Sequence, residues 1–357
     1  MINQLTFTRF IAAISIVVFH FGLQFGPFNL PIIDVIFKNA NIAVGYFFIL
    51  SGFIMIISYT HKNSTIKFAD FYLNRFARIF PLYFFALFIT VVLLLFRYSQ
   101  FKSETFLSLF LIQAWIPEYA TSLNGPGWSL SVEMLFYFLF PFLFNFLYFK
   151  IQFKKLLFGV LLFWLISQVS FNLLYFSSFN EGYPSESHSF LHYFPLMHLN
   201  QFLIGNVTGL IFLKSKVKNY DFLIILLVFI LCSIILAQDY FDISLNFHNG
   251  LLALLFAPLI LFIASNNGKI TTLFSGKVFI FLGEISYGVY ILQVPIYLIV
   301  YYIGKSLQIS HPELLFSIYL LFLLIFTTIS YTFIEVPLRK IIRKNYQQKL
   351  SPKPSNA

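Results

Sequence analysis

The sequence predicts an all-α, polytopic integral membrane protein of about ten transmembrane helices with both termini cytoplasmic. Three observations lead there. Of 357 residues, 59% are hydrophobic and 10% are charged, against about 25% charged in soluble domains. Apolar runs approaching the roughly 20 residues that a bilayer requires recur near 5–23, 41–60, 79–97, 128–149, 156–176, 195–213, 220–238, 248–265, 278–302 and 314–336. The basic residues gather in short connections on one side of those runs.

The first run, LTFTRFIAAISIVVFHFG, reads as a retained helix. It has no basic leader and no small-x-small cleavage site, and it carries Arg9 and His20 inside its apolar stretch. The later runs alternate sides. Lys62, Lys67, Arg75 and Arg78 fall on one side, followed by Lys150, Lys154 and Lys155, then Lys214, Lys216 and Lys218, then Lys269 and Lys277. The tail adds Arg339, Lys340, Arg343 and Lys344; the opposite side holds Lys38, Arg97, Lys102 and Lys305. Lys and Arg excess marks the cytoplasmic side, and an even number of spans keeps these groups consistent. Residues 106–118 are short for a span and read as a re-entrant or interfacial segment. The 177–194 loop is the longest on the outer side and reads either as a substrate contact or as a solvated loop. Residues 1–345 form one transmembrane domain, and 346–357 read as a short disordered cytoplasmic tail.

The net charge of +10 does not indicate a nucleic-acid partner, because the cations sit in short membrane-flanking loops. The single Cys232 lies in an apolar run, so no disulfide within the chain is available, and neither CxxC nor zinc spacing occurs. No metal site is expected. The 51 Phe and 21 Tyr fit lipid-facing and interfacial surface, or an AT-rich coding bias.

Ionisable side chains within a span are costly and mark functional positions by default. Arg9 and His20 are eleven residues apart, about 16 Å along a helix at 1.5 Å per residue. Arg9 then lies near the cytoplasmic face and His20 in the outer half, where a neutral imidazole suits a general base. In FYLNRFARIFPLYFF, Arg75 and Arg78 share one helix face and can fork onto phosphate oxygens; positive-inside anchoring is the alternative. In GPGWSLSVEMLFYFLFP, Glu133 falls about 8 Å into the span from the outer face, near the depth of His20. A His20–Glu133 pair is expected, the carboxylate fixing the tautomer, with Ser129 and Ser131 donating nearby. Pairing with Arg97, or a protonated Glu133, is the alternative. GEISYGVYILQVP places Glu284, Ser286, Tyr287, Tyr290 and Gln293 at three- and four-residue spacing, a polar stripe facing the bundle interior or acting as packing glue. In FIEVPLRK, Glu335 and Arg339 read as a structural ion pair at a helix stop. Ser51 and Gly52 in YFFILSGF permit close helix approach.

Taken in order, these blocks resemble the acyltransferase-3 family of integral membrane acyltransferases. The matching pieces are R-x10-H at Arg9 and His20, FFILSGF at 47–53, R-x-x-R at Arg75 and Arg78, WSLSVE at 128–133, GEISYGVYILQVP and FIEVPLR. The likeness covers nearly the whole chain. It implies transfer of an acyl group, usually acetyl from acetyl-CoA, to a sugar hydroxyl of a surface polysaccharide, lipopolysaccharide or exopolysaccharide. It also implies a multi-pass protein of the bacterial cytoplasmic membrane. His20 corresponds to the family's catalytic residue, and Arg9, Arg75 and Arg78 to residues that handle the acyl donor. The block that commonly ends in His ends here in Gln293, so a second catalytic His at that position is excluded. Many relatives carry an appended extracytoplasmic hydrolase-like domain, and this chain stops after the core. A two-step relay would then need another protein, such as a glycan-assembly partner.

The expected mechanism has acyl-CoA entering from the cytoplasm, its phosphates on Arg75, Arg78 and Arg9, and the acceptor hydroxyl arriving from outside at His20. Tyr287 and Gln293 are expected to support the substrates. The rival of another class is a transporter or flippase for a glycolipid or acylated sugar, since intramembrane polar residues also line transport paths.

Overall fold

The computed structural model describes residues 2–60, 65–98, 104–241 and 245–350. The chain is helical, and among those residues strand pairing is limited to an isolated bridge between Lys218 and Asn266. Its helices run in order: α1 Asn3–Phe21, α2 Pro31–Lys38, α3 Ile42–Thr60, α4 Phe68–Tyr98, α5 Glu104–Leu109, α6 Gly127–Leu143, α7 Phe153–Tyr175 and α8 Glu186–Tyr193. There follow α9 Leu199–Phe212, α10 Asp221–Tyr240, α11 Ala253–Ser265, α12 Lys269–Phe274, α13 Lys277–Ser306, α14 Pro312–Ser330 and α15 Val336–Leu350.

Among the described residues, 8 helical stretches are long and apolar enough to cross a membrane: α1, α3, α4, α6, α7, α10, α13 and the α14–α15 unit. The expected runs at 195–213 and 248–265 form shorter helices instead, α9 of 14 residues and α11 of 13 residues. At 1.5 Å per residue they reach only about 21 and 20 Å, short of a hydrocarbon core of about 30 Å. The reason is polar sequence at their leading ends. His198, Asn200 and Gln201, and His248 and Asn249, bond to one another and to loop carbonyls rather than facing lipid. The 106–118 segment folds as α5 and two 3-10 turns, Gln113–Trp115 and Pro117–Tyr119, and makes no span. α15 continues to Leu350, beyond the expected domain end at 345, and 351–357 lie outside the described residues.

Two helix pairs organise the bundle, α3 with α9 and α1 with α13. Both rest on glycine. A Cβ on Gly205 would collide with the Ile49 carbonyl, and one on Gly52 with the Phe202 carbonyl. A Cβ on Gly283 would strike the Thr6 carbonyl. Backbones in van der Waals contact are the usual membrane solution, because lipid supplies no hydrophobic drive between helices.

One helix-interior proline is compensated by a side chain. Pro295 lies inside α13 and removes the helical donor for the Ile291 carbonyl. Asn124 Nδ2 donates to that carbonyl at 2.9 Å. The 177–194 loop is partly ordered as α8, whose N-cap Ser185 accepts from the His188 amide at 3.0 Å. Leu191 and His192 are its buried residues.

Candidate active site

A cavity of about 160 Å³ lies within the bundle, roughly tenfold the 10–15 Å³ that one water requires, so it is sized for a ligand. α1 contributes Leu5, Thr6 and Arg9; α4 contributes Arg75, Arg78 and Ile79. α6 adds Ser129, Glu133 and Tyr137, while α13 adds Ser286, Tyr287 and Tyr290. The sequence explains the convergence. Arg75 and Arg78 are one turn apart on α4, Glu133 and Tyr137 one turn apart on α6, and Tyr287 and Tyr290 one turn apart on α13.

The guanidiniums carry little direct neutralisation. Arg75 lies over the rings of Phe71, Tyr59 and Tyr137 at 5.5, 5.8 and 5.8 Å, and its buried Nε has no hydrogen-bond partner. Arg9 interacts electrostatically with Arg78, Glu133 and Glu335. Among the described residues the ion pair within 4 Å is Lys38 with Asp34, far along the chain. The expected Glu335–Arg339 ion pair is therefore not formed. Glu335 sits in a π-helical turn, Tyr331–Glu335, between α14 and α15; one of its carboxylate oxygens is buried and unpartnered. Its carboxylate interacts electrostatically with Arg9, Arg339 and Arg78.

Glu133 does not meet His20. Tyr137 donates its hydroxyl to Glu133 Oε2 at 2.7 Å, and the charged neighbours of Glu133 are Arg78, Arg9 and Arg75. The attraction of three cations holds the carboxylate on the arginine side of the cavity, which corrects the expected His20–Glu133 pair. Ser129 shares a 2.8 Å hydrogen bond with the Tyr290 hydroxyl at the cavity wall. Ser131 is fully buried, outside the cavity lining, and without a partner. Tyr287 donates to the Ile79 carbonyl at 2.9 Å, tying α13 to α4 beside Arg78.

His20 pairs with Gln293. Its Nδ1 lies 2.8 Å from Gln293 Oε1. Gln293 is fully buried and its amide nitrogen donates to the Tyr290 carbonyl at 2.7 Å. Tyr319 donates to the Gln293 main-chain carbonyl at 3.2 Å. His20 itself is exposed at the end of α1, its ring beside those of Phe19 and Phe21. Gln293 is thus one helical turn from Tyr290, which lines the cavity, and in contact with His20, which does not.

Several participants were not singled out from sequence. Tyr137 was findable, being four residues after Glu133 on the same helix face. Arg343 was assigned to the tail, yet it lies within electrostatic reach of Arg339, Arg75 and Arg78; only the docking of α15 onto α4 brings it there. A second cluster joins His188, His192, His198 and His248. His188 and His192 stack at 3.9 Å, and His198 Nε2 and His248 Nε2 both donate to the His192 carbonyl at 2.9 and 2.8 Å. No group among the described residues has the arrangement to hold a metal ion.

The model of the acyltransferase-3 family, described as an acyltransferase domain, matches residues 2–335. The peptidoglycan O-acetyltransferase of Listeria monocytogenes is 25% identical over 93% of this chain and 55% of its own length. A Staphylococcus aureus protein named as an O-acetyltransferase is 23% identical over 93% of this chain and 56% of its own. An acyltransferase of Streptomyces mycarofaciens is 34% identical over 27% of this chain and 26% of its own. The chain thus spans about half the length, or less, of these curated relatives. No solved structure matches it. The family model extends from the helix bearing Arg9 and His20 through the turn bearing Glu335, so the chain belongs to the acyltransferase-3 family.

Proposed function

We propose that the protein is a membrane O-acetyltransferase that moves an acetyl group from acetyl-CoA to a sugar hydroxyl of a surface glycan. The supporting observation is the polarity of one path through the bundle. Guanidiniums from α1 and α4 line the cavity together with Tyr290 and Ser129, and one turn after Tyr290 on α13, outside that lining, Gln293 meets His20 at the far end of α1 from Arg9. Positive-inside charge puts the arginine end toward the cytoplasm, where acyl-CoA is available, and leaves His20 toward the acceptor side of the bacterial cytoplasmic membrane.

In this reading Arg75, Arg78 and Arg9 receive the donor's phosphates, with Glu133 and Tyr137 setting the positions of the cations. Arg339 and Arg343 widen the positive field at the entrance. The acetyl thioester reaches past Tyr290. His20 Nε2 takes the acceptor hydroxyl proton as the oxygen attacks the thioester carbon; the C–O bond forms, the C–S bond breaks, and the proton passes from the imidazolium to the departing thiolate. General-base assistance of this kind contributes about 10²–10⁴-fold, and holding both substrates on one path supplies further rate through proximity. The acceptor is a cell-surface polysaccharide, of which the peptidoglycan named for the Listeria relative is one class.

The test is acetyl transfer from radiolabelled acetyl-CoA by the purified protein in lipid nanodiscs, paired with mass spectrometry of surface glycans from a deletion strain. A lost increment of about 42 daltons per sugar, the mass that replacing a hydroxyl proton by acetyl adds, together with acetyl-CoA turnover in vitro, supports the reading. Glycan or glycolipid movement across the bilayer without consumption of acetyl-CoA overturns it in favour of a transporter.

A further inference from the structure

The contact between His20 and Gln293 carries more than proximity. A histidine ring nitrogen facing an amide oxygen must be the protonated one, because an amide oxygen only accepts. Which end of the Gln293 amide faces His20 is fixed independently. Its other end lies 2.7 Å from the Tyr290 carbonyl, and only the NH₂ group can donate there. Turning the amide over would set oxygen against oxygen at that carbonyl. The carbonyl is itself held in α13, whose backbone is pinned at Ile291 by Asn124 and at Gln293 by Tyr319.

We infer that Gln293 is the positioning residue of the reaction, holding His20 in the tautomer that bears its proton on Nδ1 and leaves Nε2 as the base. The inference rests on the proposed role of His20 as general base. It assigns to a neutral amide the orienting task that carboxylates perform in other His-dependent sites. The burial of Gln293 matters here, since an amide in water would turn freely and prefer neither face. His20 as a residue is exposed, and with Nδ1 engaged by Gln293 its Nε2 is the ring nitrogen left for an acceptor hydroxyl. Gly283, about two helical turns before Tyr290, packs α13 against α1 at the Thr6 carbonyl. That close approach fixes the register of α13 on α1 below the His20–Gln293 contact.

The experiment uses the full chain in nanodiscs with ¹⁵N-labelled histidine, its His20 signals identified by their loss in His20→Ala. At a pH where His20 is neutral, the wild type is expected to show a protonated Nδ1 and a bare Nε2. Gln293→Leu removes the acceptor, and the ring then reverts toward the intrinsically preferred Nε2–H form. Transfer by Gln293→Leu falls about tenfold to a hundredfold in kcat, the scale seen when partners orienting metal-bound histidines are removed, while KM for acetyl-CoA stays within about threefold. Gln293→Glu, which keeps an acceptor oxygen, retains the Nδ1–H signature and recovers most of the rate. An Nε2–H tautomer in the wild type, or unchanged tautomer and kcat in well-folded Gln293→Leu, overturns the inference. Full transfer by His20→Ala instead defeats the general-base reading beneath it, and the tautomer signals tell the two failures apart.

Discussion

His20 Nδ1 lies 2.8 Å from Gln293 Oε1 and joins the first helix to α13 across 273 positions of sequence. Glu133, the other residue expected beside that imidazole, instead takes the Tyr137 hydroxyl at 2.7 Å among the arginines. The imidazole and the arginines thus have different partners, and in the proposed reaction their variants are expected to separate kinetically.

His20→Asn keeps a polar side chain of similar reach but removes the base. Transfer is expected to fall by about 10²–10⁴-fold in kcat, with insertion and expression intact. Turnover of acetyl-CoA in nanodiscs measures this, and near-normal kcat in a folded variant refutes the assignment.

Glu133→Gln retains an acceptor for Tyr137 while removing one negative charge from beside Arg9, Arg75 and Arg78. The expected consequence is a change in KM for acetyl-CoA larger than the change in kcat. A loss confined to kcat would return Glu133 to the chemical step.

Arg78→Ala and Arg343→Ala remove charges from the entrance. Hydrogen bonds to charged groups contribute about 1.5–3 kcal/mol, so loss of Arg78 should raise KM for acetyl-CoA about tenfold or more. Arg343 lies farther out and its loss should matter most at low salt, where screening is weak. A KM insensitive to both substitutions, measured across ionic strength, contradicts the donor site.

Gly205→Ala places a methyl group against the Ile49 carbonyl. Overpacking typically costs about 1–3 kcal/mol, and backbone on both sides leaves little to yield. The variant is expected to lose thermal stability in detergent, whereas Gly159→Ala, with no atom near its added Cβ, should behave as wild type.

The histidine cluster outside the apolar spans predicts an acid limit. Burial, with His188 adjacent, lowers His192 to about 4, and burial also lowers His188. His248 is pushed well below its usual value by burial and then by His198 and His192. The rings facing His192 are those of Phe171, Tyr175, His188, Tyr193 and His248. The unfolded chain takes up protons near pH 6.5, the folded His192 only near 4. Stability is therefore expected to decline as pH falls from about 6.5 toward 4. Thermal unfolding between pH 7 and 5 checks this; His192→Gln, which cannot titrate, should flatten the slope.

Sequence by itself determined the class of protein, most of the spans, the arginine and histidine positions, and the family. Apolar length and loop charge are local properties, and Arg9, His20, Arg75 and Arg78 stand out because an ionisable group in an apolar run is costly wherever it lies. Tertiary structure decided who touches whom. Depth along a helix placed Glu133 near His20, but depth leaves the azimuth free, and rotation of α6 turned the carboxylate to the arginines. Gln293 became the partner of His20 because Gly283 lets α13 lie against α1, a contact between residues hundreds of positions apart. Arg343 came within electrostatic reach of Arg75 and Arg78 for the same reason, through α15 folding back on α4. The runs at α9 and α11 formed shorter helices because their polar leading residues found partners only once the connecting loops had packed together, a gain that no single stretch of sequence contains.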